Sequence, residues 1–288
     1  MRRVGFLGAR GPRGAALRVA LAAIASTTAP GPALAAFELR DASPAALGAV
    51  STDLAAEQPM FADPPASHLC VRMSASHASL YQTDGLSADR VQLCAEGRPG
   101  SISISYARVG VPGAGESSLR FAMRESEANS IALELGVERL DLALDGEERE
   151  GGWAFGAAAR ARVSLSRVGL EIGIGADRLL RDGGLDRLAA TSSLPVSIRL
   201  RAGGAAASWV DRWEGDGRRS PRFVLDLPIA GVASIRLGRG ESPGRVGAAV
   251  AVRLRRVEVS AGRLDLSSGG VVTGAALGLV PSADAGGR

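Results

Sequence analysis

Lysine is absent: all 34 basic residues are arginine, set against 30 Asp and Glu. A phosphate-binding loop of the Walker type needs its lysine, so glycine-rich strings such as Gly169 to Gly175 do not read as one. They read instead as strand glycines, placed where side chains crowd or a strand bends. Aromatic residues make up only 4%, which argues against a stacking platform for single-stranded nucleic acid. There are two cysteines and two histidines. His68 and His77 lie near Cys70 and Cys94, but no C-x-x-C or H-x-x-x-H spacing supports zinc. No window approaches the ~18 uninterrupted apolar residues of a transmembrane helix. The composition, 46% hydrophobic and 22% charged, is too apolar for a disordered charged tail, and the 38 glycines lack a collagen period.

The formal charge of +4 invites a polyanion partner, yet its location points elsewhere. Arg2, Arg3, Arg10, Arg13 and Arg18 all precede the first acid, Glu38, and beyond them arginines and carboxylates nearly cancel. The opening has an arginine-rich start, an apolar stretch from Ala15 to Ala25, and Ala33-Leu34-Ala35 as an A-x-A cleavage pattern. Residues 1–35 are therefore expected to be an export signal, and the basicity belongs to it. A nucleic-acid partner is not expected.

What the chain has in abundance is alternation. Ile102, Ile104 and Tyr106 alternate with Ser101, Ser103 and Ser105; Leu119, Phe121 and Met123 alternate with Arg120 and Arg124. The same period of two runs through 131–138, 159–166, 194–201, 222–229 and 246–255. It is the strand signal, because successive side chains leave opposite faces. Gly/Asp/Ser turns separate the runs, at Thr83-Asp84-Gly85, Asp145-Gly146, Gly151-Gly152, Asp182-Gly183-Gly184, Gly203-Gly204, Asp216-Gly217 and Ser267 to Gly270. Helix-like stretches are few: Ala45 to Glu57 and Ala176 to Ala190.

Such a meander leaves two open edges unless it closes, and in lipid closure is obligatory. The pattern predicts an all-β chain, a single antiparallel up-and-down barrel of about 12–14 strands with a short N-terminal helical or extended segment. Its parts are expected to be the signal at 1–35, a luminal, plug-like segment at 36–67, an outer-membrane barrel at 68–280, and a tail at 281–288. Trp153, Trp209 and Trp213 sit beside turns, as interface anchors do, although the aromatics are too few for full girdles. A periplasmic or surface all-β protein with a structural or binding role is the competing expectation.

One segment carries a family likeness. Phe37, the small-residue stretch Ala46-Leu47-Gly48 and the Asp63-Pro64-Pro65-Ala66 turn stand in order before the first strand. This opening resembles that of the PorV/PorQ-like outer-membrane barrels, part of the wider fatty-acid-transporter-like group. Ala49 and Asp63 stand where those proteins have a second glycine and an asparagine. The resemblance implies an N-terminal segment associated with the lumen and a role in transport or secretion-associated shuttling. The partners implied are outer-membrane lipid and either secretion-machinery proteins or small amphipathic solutes.

The candidate chemistry is modest. Cys70 and Cys94 flank the 83–85 turn, and a disulfide tying the two strands together is expected, with two buried free thiols as the alternative. His77 with Ser74, Ser76 and Ser79 reads as a polar wall rather than a catalytic pair, so no enzyme and no cofactor are expected. The paired arginines Arg160/Arg162, Arg199/Arg201 and Arg253/Arg255 each put two guanidinium groups on one face of a strand. In a barrel they would line the lumen opposite Glu134, Glu138, Asp226 or Glu258, either as a lattice of ion pairs or as an anion-favouring path. The near-cancelling charge favours the lattice.

Overall fold

The computed structural model describes residues 43–50, 70–97, 100–111, 114–125, 131–143, 150–165, 168–183, 192–214, 217–229, 232–241, 244–267 and 270–279. The expected signal, Phe37, the Asp63-Pro64-Pro65-Ala66 turn and the C-terminal tail lie outside these residues. The strands are β1 (Cys70–Leu80), β2 (Ser87–Gly97), β3 (Gly100–Val111), β4 (Ala114–Glu125), β5 (Ile131–Ala143), β6 (Glu150–Leu165) and β7 (Val168–Gly183), followed by β8 (Ser193–Ala202), β9 (Ala205–Glu214), β10 (Arg222–Ile229), β11 (Ala233–Glu241), β12 (Gly244–Leu254), β13 (Val257–Leu266) and β14 (Val271–Leu279). Each pairs antiparallel with its sequence neighbours. β14 closes on β1 from Met73↔Leu279 to Leu80↔Val272, so the sheet is a closed barrel without an edge.

The alternation decides what faces where. On β3, Ile104 is 45% exposed and its neighbour Ser105 is 5% exposed. Ile104 sits in register between Leu93 and Phe121, both exposed apolar residues on adjacent strands. Around the barrel the exposed apolar side chains point outward, among them Met73, Leu135, Ile174, Ile198, Val250 and Leu277. Ser105, Ser118, Arg120, Arg236, Glu138 and Asp226 are buried on the inward face. This is the inverse of a water-soluble sheet, whose outer face is polar.

Two sequence expectations fail on β6 and β7. Ala176 to Ala190 reads as helical, but 176–183 continues β7 and the remainder lies outside the described residues. The helix-like spacing arises where the β6–β7 register shifts, between Phe155 and Ala157, which breaks the period of two. Arg178 stands inside this bulge at φ 56. Gly151-Gly152, expected as a turn, lies within β6 opposite Asp141 and Leu140.

The described helix is α1, Pro44–Gly48; it ends at Gly48, and residues 51–57 of the expected helical stretch Ala45 to Glu57 lie outside the described residues. Ser43 caps it, its hydroxyl accepting from the Ala46 amide at 3.3 Å, and Pro44 takes the first turn where no amide is needed. α1 packs against β11, β12, β13 and β14 on their inward faces. Leu47 and Val50 are fully buried there, in a cluster with Leu80, Leu264, Leu266 and Val272. Burial of a leucine side chain is worth about 1.5–3 kcal/mol, so this cluster anchors the segment inside the barrel.

Candidate functional site

The interior is the site, and two devices shape it. The first is a groove for α1. Gly238 and Gly247 face each other across β11 and β12. A side chain at Gly238 would meet the Gly48 carbonyl, one at Gly247 the Leu47 carbonyl, and one at Gly262 on β13 the Pro44 backbone. Only glycine lets the wall approach the helix backbone this closely. Arg236 Nη1 donates to the Ala45 carbonyl at 3.2 Å, tying the helix to the wall from the polar side.

The second device is a lattice of arginines and carboxylates. Glu134 lies between Arg120 at 3.6 Å and Arg160 at 3.7 Å, and Arg120 also reaches Asp177 at 3.7 Å. Asp226 lies between Arg199 at 2.8 Å and Arg236 at 2.5 Å. Arg178 Nε donates to Glu138 Oε2 at 3.2 Å, both side chains being 4% exposed. Arg201 bonds Glu171 at 3.0 Å, and Arg253 bonds Glu258 at 3.0 Å across the β12–β13 pair. Arg162 stands in register with Glu171. Bulge and lattice are linked, since Arg178 reaches Glu138 from within the bulge.

Two cavities flank α1. One, of about 240 Å³, is lined by Ser74, Ser76, Gln92, Ser103, Arg90 and Arg124 together with the helix start. The other, of about 130 Å³, lies between Ala49 and the walls around Arg160, Arg199 and Asp226. Their surfaces offer guanidinium and hydroxyl donors, the groups that hold carboxylates, phosphates and sugar hydroxyls. Among the inward-facing described side chains arginines outnumber carboxylates.

Several sequence expectations are relocated. Arg255, expected on the lumen wall, lies past the end of β12 in the turn to β13, exposed and at φ 56. The turn takes the residue off the strand before the alternation reaches it. Cys94 carries a free thiol, and the expected bond to Cys70 is not made. The register explains this: Cys94 stands opposite Arg72 and Cys70 opposite Glu96, so the two are offset along the ladder. The Cys94 thiol lines the larger cavity and lies 3.8 Å from Glu96 Oε1. His77 faces outward, where Nδ1 meets Asp89 Oδ1 at 2.7 Å, while Ser74 and Ser76 face the cavity. Ser76 and His77 thus leave opposite faces of β1 and do not form a nucleophile–base pair.

Among the described residues, the outer surface holds further ion pairs. Arg139 and Asp141 meet at 2.9 Å on β5, with the Arg139 guanidinium 5.6 Å from the Trp153 ring. Arg219 donates to the buried Asp211 carboxylate at 2.6 Å and lies 5.5 Å from the Trp213 ring. That hydrogen bond raises the Arg219 pKa above its ordinary value. Arg263 and Asp265 meet at 2.7 Å on β13.

No protein-family model matches the chain, and no curated protein matches it in sequence. The likeness of its opening to the PorV/PorQ-like group therefore has no family match behind it. Among solved structures, a double mutant of the Rh. blastica porin aligns at 10% identity with a TM-score of 0.43, over 74% of this chain and 99% of that one. The KdgM porin aligns at 8% identity with a TM-score of 0.42, over 72% of this chain and 98% of that one.

Proposed function

We propose that the chain is an exported outer-membrane barrel that passes small polar solutes, anions in preference, through a lumen narrowed by its N-terminal segment. The observation that carries this reading is the inverted polarity: a closed barrel with apolar side chains exposed outside and an arginine-rich interior. Closure and an apolar outer belt are what a bilayer demands of a sheet. A periplasmic or surface role would leave that belt in water.

The interior supports solute passage more than catalysis. Its hydroxyls and guanidinium groups line open volume on both sides of α1, and the carboxylates between them keep the arginines fixed in direction. The glycine groove supports α1 as a resident strut: it confines passage to the two cavities and sets the size that passes.

Swelling of proteoliposomes tests the reading. With the refolded chain in the membrane, a carboxylated sugar should enter faster than a neutral sugar of equal size. Equal rates would remove the anion preference, and no swelling with either would remove the path.

A further inference from the structure

The lumen and its strut leave unexplained the charges on the barrel's outer face. Arg139–Asp141, Asp211–Arg219 and Arg263–Asp265 share the outward face with Leu135, Trp209 and Val259. Each pair stands toward the C-terminal end of β5, β9 or β13, and antiparallel odd-numbered strands all end on the same rim. The opposite rim has no such pairs among the described residues. There the exposed outward side chains include Ile131, Val168, Leu254 and Leu279, with Glu125 and the turn residues Arg255 and Arg256 as exposed charges.

The two rims also differ in their connections. On the charged rim β7 joins β8 through residues 184–192 and β9 joins β10 through 215–221, whereas on the apolar rim β8 joins β9 through 203–204 and β12 joins β13 through 255–256. Longer loops mark the external side of an outer-membrane barrel. The charged rim then meets the external leaflet, whose glycolipids carry phosphates bridged by divalent cations. Each station offers a guanidinium, and Asp141 and Asp265 add partly exposed carboxylates, while Asp211 lies buried beneath Arg219. A guanidinium takes a phosphate oxygen, and a carboxylate takes the bridging metal ion. Two stations add a tryptophan beneath the arginine, at the depth where indole rings settle between headgroup and acyl chain.

We infer that this rim docks against a phosphorylated glycolipid leaflet and binds its phosphate–divalent cation layer through the three arginine–aspartate stations. The inference rests on the membrane reading above. A second copy of the chain is the other occupant such a surface could have, and the test separates the two.

Native mass spectrometry of the refolded full chain in a maltoside detergent, with bis-phosphorylated lipid A titrated in, gives the test. Lipid A should bind in Mg²⁺ and bind about tenfold more weakly in EDTA. The triple variant Arg139→Gln, Arg219→Gln, Arg263→Gln should lose about tenfold in affinity while keeping heat-modifiable gel migration. Phosphatidylethanolamine should bind no better to the wild type than to the variant. Equal lipid A binding by the two proteins, or binding indifferent to EDTA, overturns the inference. Dimers or trimers present in the wild type and lost in the variant overturn it in favour of a second copy. If the triple variant does not fold, Arg263→Gln alone is read by the same criteria, because its pair is exposed and lies within one strand. A wild type that shows no heat-modifiable form at all would instead defeat the membrane reading itself.

Discussion

The carbonyl oxygen of Leu47 occupies the space in which a side chain at Gly247 would begin. The wall of β12 and the N-terminal segment are thus shaped to each other, and neither can change alone. Gly247→Val should displace α1 and cost about 1–3 kcal/mol, the usual penalty for overpacking. In the displaced state, protease should cut near Leu47 before the barrel is touched. Limited proteolysis followed by mass analysis checks this, and protection equal to wild type would show that the groove does not hold the helix.

The outer face gives a second expectation. Ile104→Arg places a charge at the middle of the apolar belt, where the cost is about 2–4 kcal/mol, against ~0–1 near an interface. Ser103→Arg, one residue away and inward, should cost far less. Urea titrations of the two variants folded into phosphatidylcholine vesicles make the comparison. Equal costs would contradict the assignment of faces.

Asp226 receives both Arg199 and Arg236. Asp226→Asn leaves two inward guanidinium groups facing each other across the shared position, and breaking such a pair costs about 3–5 kcal/mol when it is fully buried. Adding Arg199→Met should recover part of that loss. A double-mutant cycle on unfolding free energy would reveal a simple sum if the three groups were independent.

Cys94 opens onto the larger cavity. In a Cys70→Ser background, a small sulfonate-bearing thiol reagent should label Cys94 in the folded barrel. It should also lower solute flux, because the adduct adds bulk and negative charge beside Arg72 and Arg124. Labelling that requires denaturant would place the thiol outside the path.

Much of this was readable in the sequence because a barrel wall repeats one rule. Ile102-Ser103-Ile104-Ser105 states which residues face lipid and which face the lumen, and the register of β3 follows it. The Arg160–Glu134, Arg199–Asp226 and Arg253–Glu258 contacts bring together groups that the alternation had put on one side. The rule fails where the backbone departs from it. At Asp177-Arg178 a bulge imitates helical spacing, and Arg255 falls in a turn. Glycines state no partner: nothing in the letters of Gly238, Gly247 and Gly262 says that a helix backbone lies against them. Arg120, Asp177, Arg178 and Arg236 were missed as lattice members for a related reason. Asp177 and Arg178 reach Arg120 and Glu138 across intervening strands, whereas Arg120–Glu134 and Arg236–Asp226 join neighbouring strands whose register the alternation alone does not state.

Current through a planar bilayer tests the central claim most directly. With the refolded chain added under a KCl gradient, discrete conductance steps should reverse at a potential on the chloride side. Glu134→Gln, which removes a carboxylate facing Arg120 and Arg160, should move that potential further in the same direction. Heat-modifiable, membrane-inserted protein that gives no steps, or steps selective for potassium, would contradict the account.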